Sequence, residues 1–314
     1  ARARGQRAVI FDLTGAFIEH FYDSSRDVIL NPLDARCPMW SVFDECRDEA
    51  EFTAAAEALV PHDGGGAEQF WVLAARLLFV EMCLKLRARG QATNAALAAE
   101  LMTADLAAVH RLMRGTIADP LTAPEAARMA ESIRAVFNAN AKALTLLPKT
   151  GKRFSVRDWI ESDKRDGSMV FISARYVDMS VCSQLLTVWL DLAMNTLMAM
   201  DRTREVRMWF FIDELGALHR LPALEKGLQT ARNFGGAIVT GVHAFAKVAL
   251  DSFFHGHGYL CCHSHVSQRT QAPNNLDELA ATLRVLTLAA NRLAQLPEAV
   301  PQGADEQRPV LAVL

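Results

Sequence analysis

Residues 206–243 read VRMWFFIDELGALHRLPALEKGLQTARNFGGAIVTGVH. The run MWFFI (208–212) is apolar and aromatic, and its length predicts a strand buried on both faces. It ends in two adjacent acids, Asp213 and Glu214. Carboxylates at the C-terminal end of a buried strand stand at the rim of an open α/β sheet, where such sheets take their ligands. In a nucleotide-hydrolysing site the first acid organises the Mg²⁺ shell and the second polarises the attacking water. A helix is predicted over 221–231, with Pro222 in its first turn. Residues 232–236, RNFGG, are expected to turn, and AIVTGV (237–242) to form a second buried strand ending at His243. Strand, acid pair, helix, glycine turn and strand follow the order of the rear half of a P-loop core. A strand whose end is merely solvated also fits an apolar run followed by Asp-Glu.

Composition bounds the class. A chain of 314 residues with 51% hydrophobic residues can build a large core. The net charge of −3 gives no global basic field, so any nucleic-acid surface must be local. Cys37, Cys46, Cys83, Cys182, Cys261 and Cys262 lack framework spacing, which suits a reducing compartment. No apolar leader precedes the first strand signal, RAVIFD (7–12). Residues 181–200 have membrane-spanning length but carry Gln184, Asp191 and Asn195. A helix buried against the sheet is therefore expected there.

Outward from the acid pair, two more strands are predicted on the amino-terminal side. RAVIF ends at Asp12, and DVILNP (27–32) follows a turn and helix. From about 43 to 147 strand signals vanish and Ala, Leu, Met and Glu dominate. A helix is predicted over 68–89 with Gly90 as its stop. Asn94 is expected to cap another running to about Arg114, and Thr122 with Glu125 to form a capping box for a third. The chain then returns to strand signals at SMVFIS (168–173), with Ser155 or Asp158 capping a short helix on the way. The strand, the helix over 181–200 and the acid-bearing strand imply a parallel crossover. The loop PHDGGG (61–66) lacks a following Lys-Ser/Thr and reads as a connector. His255, His257, Cys261, Cys262, His263 and His265 crowd a short tract without paired CxxC or HxxxH spacing. That tract reads as part of a divergent tail over 251–314 rather than as a metal site.

Three blocks resemble one family. WFFIDELGALHRLPALEKGLQTARNFGG, RAVIFDLTGAF with DVILNPLDARCPMWSVFDEC, and FISARY with LLTVWLDLAMNTL are similar to TraD/TrwB-type coupling proteins of conjugation and type IV secretion. The resemblance covers roughly residues 7–247. It implies a RecA-like P-loop NTPase core with a mostly parallel sheet and an inserted all-α domain. The expected division is 1–44 and 149–250 for the core and 45–148 for the insert, which in that family faces the cytoplasm and helps receive DNA or its relaxase.

By resemblance the site holds ATP and Mg²⁺. Asp213 organises the metal through water, Glu214 the attacking water, and His243 stands where the family has a γ-phosphate-sensing Gln. Arg232 is either the candidate arginine acting on a neighbouring subunit or an arginine that simply pairs with a helix C-terminus. Arg175 is either a phosphate or neighbouring-subunit contact or an arginine on a solvated rim. The family pattern Asp-x-x-Gly-Glu is here Asp12-Leu13-Thr14-Gly15-Ala16, without the glutamate. No G-x-x-x-x-G-K-[ST] occurs in the sequence; Lys149-Thr150-Gly151-Lys152 lacks the first glycine and the hydroxyl residue. The chain thus reads as a fragment lacking the membrane anchor and phosphate loop, with a shifted or recombined end beyond Lys247, and inactive alone as an ATPase. The implied parent is a homo-hexameric DNA translocase, anchored in the bacterial inner membrane and facing the cytoplasm. It passes single-stranded DNA and its relaxase to a type IV secretion channel. The alternative is a non-catalytic DNA- or relaxase-binding remnant working through the all-α domain.

Overall fold

The computed structural model describes residues 1–61, 68–213, 218, 221–242, 261–262 and 310–313. Glu214, His243, the glycine loop at 62–66 and all of the Cys/His tract except Cys261 and Cys262 lie outside those residues.

In chain order the elements are β1 (Arg7–Phe11), α1 (Ala16–Phe21) and β2 (Val28–Leu30), then α2 (Val42–Glu45), α3 (Glu49–Leu59), α4 (Glu68–Ala88), α5 (Asn94–Leu97), α6 (Leu106–Met113), α7 (Asp119–Thr122) and α8 (Ala127–Ala141). There follow α9 (Val156–Glu161), β3 (Met169–Ile172), α10 (Met179–Ala199), β4 (Thr203–Ile212), α11 (Pro222–Thr230), β5 (Phe234–Val242), β6 (Cys261–Cys262) and β7 (Val310–Val313). The sheet order is β2-β3-β1-β4-β5-β7-β6. The first five strands pair in parallel, and β7 joins β5 and β6 antiparallel. The fold is α/β, with a parallel sheet core and a large helical region inserted between β2 and β3.

Alternation along the strands feeds two apolar layers. Val9 and Phe11 of β1, Val170 and Ile172 of β3, and Met208, Phe210 and Ile212 of β4 join the large cluster that runs through α10 into α3, α4 and α8. Ala8, Ile10, Met169 and Phe171 face the other way, against Phe17, Ile18 and Tyr22 in and just beyond α1. The expectation that MWFFI is buried on both faces fails here. Trp209 and Phe211 are half-buried, stacked on each other at 5.7 Å and 9°. The described helix on that side, α1, has only 6 residues.

Helix α10 is long and apolar enough to cross a membrane. It is the core helix instead: Trp189, Leu185 and Leu190 are fully buried against the sheet and the insert. The insert leaves and rejoins the core at one point. Met39 donates to the Lys152 carbonyl and accepts from the Phe154 amide, both at 2.9 Å. Just inside, the buried Glu45 accepts from Trp40 Nε1, the Val156 and Arg157 amides, and Ser155 Oγ.

Several helix boundaries differ from expectation. Gly90 stops α4 in the left-handed region at φ 70°, as expected. Thr93, rather than Asn94, caps the next helix by accepting from the Ala96 amide. That helix does not run on to Arg114: it passes through a π turn at Ala98–Thr103 and ends at Ala104, and Asp105 caps α6. Thr122 forms no capping box; its hydroxyl donates back to the Asp119 carbonyl.

Candidate active site

The carboxyl edge of the parallel strands brings two of the acids together. Phe11 pairs with Ile212, and Ile212 with Thr240. The ladder runs one residue further, because the Asp213 amide donates to the Phe11 carbonyl at 3.2 Å. Asp213 therefore stands beside Asp12, on neighbouring strands roughly 4.8 Å apart. On the far side of β1, the Asp12 amide donates to the Ile172 carbonyl at 3.0 Å.

The two acids differ in what surrounds them. Asp12 is fully buried. One of its oxygens accepts from the Gly15 amide at 2.9 Å and from the Thr14 hydroxyl, and the other from the Ile18 amide at 3.0 Å. Both oxygens are thus occupied in turning the chain and capping α1, whose own N-cap, Gly15, has no side chain to offer. Asp213 is half-buried at the open rim. The family pattern singled out the missing glutamate at Ala16; the structural carboxylate of that turn is Asp12. An acid four residues before a helix start, followed by Thr-Gly, is the signal for such a cap.

Arg175 lies on the same edge, just past β3. Its guanidinium is exposed and grips Asp178 with Nε at 2.6 Å and a terminal nitrogen at 3.2 Å. An exposed pair of this kind holds weakly. Two strand spacings, roughly 10 Å, separate the β3 and β4 backbones. Arg232 sits at the opposite end of the sheet. It lies in the tight turn Ala231–Asn233 that starts β5, whereas Asp213 is level with the far end of that strand. About 25 Å of strand lies between them, so the two do not meet within one chain.

Metal ligation at the rim is limited. Among the described residues, no three His, Cys, Asp or Glu side chains cluster to hold an ion. Among the described residues Asp213 stands at the rim, and such a carboxylate fits Mg²⁺ in the manner of ions that keep waters and share phosphate oxygens.

Comparison with known proteins decides the family. The profile described as the type IV secretion-system coupling protein DNA-binding domain matches residues 1–251. The chain belongs to that family. Coupling protein TraD of Escherichia coli (strain K12) is 35% identical over 254 residues, spanning 79% of this chain and 35% of TraD. The bacterial conjugative coupling protein TrwBdeltaN70 superposes with a TM-score of 0.70 at 29% identity, covering 80% of this chain and 58% of that one. TrwB in complex with ADP and Mg²⁺ gives the same TM-score and identity, covering 59% of its own chain. This member of the coupling-protein family thus spans about a third of TraD and under three fifths of the TrwB chains. Its core has the RecA-like arrangement of TrwB.

Proposed function

We propose that this chain is part of the motor core of a conjugative coupling protein, a homo-hexameric ATP-driven translocase delivering single-stranded DNA and its relaxase to a type IV secretion channel. The observation that carries the reading is the extension of the parallel ladder to Asp213, at the carboxyl edge of the sheet, beside a neighbouring acid already occupied as a cap. In this reading Asp213 orients the waters of a phosphate-bound Mg²⁺, which supplies charge stabilisation to the transferred phosphoryl group. Glu214 accepts the proton of the attacking water. His243 hydrogen-bonds near the γ-phosphate, and Arg232, at the opposite end of the sheet, serves the site of the adjacent subunit. Arg175 reaches phosphate by exchanging Asp178 for it. The helical insert, 45–148, is the part that meets DNA or relaxase, and the parent protein is held at the bacterial inner membrane with this portion in the cytoplasm.

The second reading is a DNA- or relaxase-binding element without turnover, working through the helical insert between β2 and β3. Nucleotide binding, ATP hydrolysis and single-stranded DNA binding by the purified chain and its Asp213→Asn variant separate the two. The expected result is weak Mg²⁺-dependent nucleotide binding that Asp213→Asn removes, with no steady turnover. No nucleotide binding, with DNA binding indifferent to Asp213→Asn, replaces the motor reading by the second. DNA-stimulated turnover by this chain alone overturns its inactivity.

A further inference from the structure

Helix α11 follows the acid-bearing strand, and its start cannot cap itself. Its N-cap is the apolar Leu221, and its first residue, Pro222, has no N–H. The first amide needing a partner is that of Ala223. It donates at 2.6 Å to Oδ1 of Asp191, a residue in the middle of the core helix α10. Asn195, one turn on, donates to the other oxygen at 2.8 Å. Asp191 is almost fully buried, in a stretch whose other positions are mostly apolar. A buried carboxylate at a helix N-terminus is held by the helix dipole as well as by the hydrogen bond.

The chain between Asp213 and Leu221 is therefore tied at both ends. At one end the Asp213 amide is bonded to Phe11. At the other, Asp191 fixes the first turn of α11, with Leu221 and Ala223 buried beside it. Between them Leu218 packs against the main core. The same stretch of α10 also meets the insert. Helix α3 packs on α10, and the charge of Glu57 on α3 acts on Asp191 against that of Lys226 on α11.

We propose that Asp191 is a positioning residue for the rim: it fixes the first turn of α11, where the chain re-enters the core after the acid-bearing strand, and it couples α3 of the insert to that turn. The geometric part stands without any assumption about turnover; an effect of that coupling on catalysis rests on the motor reading above.

Amide hydrogen exchange on the intact chain, without nucleotide, tests it. Asp191→Leu removes the acceptor, whereas Asp191→Asn keeps an oxygen for Ala223. Exchange at Ala223, Leu224 and Asp213 is expected to rise at least tenfold in Asp191→Leu, with Ile10 and Val170 unchanged. Asp191→Asn is expected to restore most of the protection. Glu57→Gln, on an exposed side chain, relieves repulsion on Asp191 and is expected to slow exchange at Ala223 about twofold. The proposal is overturned if Asp191→Leu leaves Asp213 unchanged, or if exchange rises equally across the sheet. Should Asp191→Leu fail to fold, an Ala223 exchange rate left unchanged by Glu57→Gln overturns it equally. A failure to bind or hydrolyse nucleotide, by contrast, touches only the motor reading.

Discussion

Two neighbouring aspartates on one sheet edge differ in burial: Asp12 is fully enclosed and Asp213 half-buried. Asp12 accepts three hydrogen bonds in full burial, and replacing it leaves the Gly15 and Ile18 amides unpaired. Asp12→Ala is expected to cost about 2–4 kcal/mol in urea unfolding. Asp12→Asn is expected to cost less, since one oxygen remains. A stability within error of the parent in Asp12→Ala contradicts the capping assignment. Sequence placed both acids correctly at strand ends, since an apolar run closing on an acid is a local pattern. What each acid touches depends on the turn beyond it, and for Asp12 that turn folds the Thr14 hydroxyl and the Gly15 and Ile18 amides back onto its carboxylate. Asp191 illustrates the same limit. It stood out as a charge in an apolar helix, enough to argue against a membrane span, but its partner on α11 lies 32 positions away in sequence.

At the scale of elements, the strands and the long helices were legible because their periodicity is strong. Short helices were not: the caps at Thr93 and Asp105 and the π turn between them lie in short segments that all pack on α4, too brief to show a period. The glycine pair was also misplaced. Gly235 and Gly236 do not form the turn before β5 but its first rungs, where the register with β4 shifts between Thr203 and Met208. Gly235 has φ 79°, and a Cβ there would lie 2.5 Å from the Glu205 carbonyl oxygen. Gly235→Ala is therefore expected to lose roughly 2–4 kcal/mol, from backbone strain together with the clash. Circular dichroism melts against the parent chain check this, and an unchanged Tm would mean that the bulge relaxes freely. Its readout is local to the amino end of β5, so the ladder at Asp213 is expected to survive.

Among the described residues the larger of the two apolar clusters is shared by sheet, α10 and insert, and its buried acids make that core sensitive to pH. Burial pushes Glu45 up to about 7 and Asp191 to about 6, against the hydrogen bonds that hold each down. The folded chain thus keeps protons that the unfolded chain has released, so stability falls as pH rises from about 4 to about 7. Asp166 acts the other way. Hydrogen bonds from the buried Arg7 hold its carboxyl well below the usual range, and that contribution is lost as pH falls through the acid range. Urea midpoints across pH are expected to peak near pH 4. Glu45→Gln is expected to flatten the alkaline slope while lowering the midpoint at about pH 4, since its amide N–H groups face other donors. A parent midpoint independent of pH between about 4 and about 7 contradicts the assignment. Finally, the closure at Met39, Lys152 and Phe154 gives the insert the form of a cassette: its two ends meet within a pair of hydrogen bonds. Exchange of the whole helical region between relatives could leave the strand order intact. Yet Trp40 lies edge-on to Trp189 at 5.8 Å, and α3 rests on α10. A transplanted insert therefore has to bring, or evolve with, the face of α10 that it covers, and the heritable unit in such an exchange is the insert together with one side of that helix.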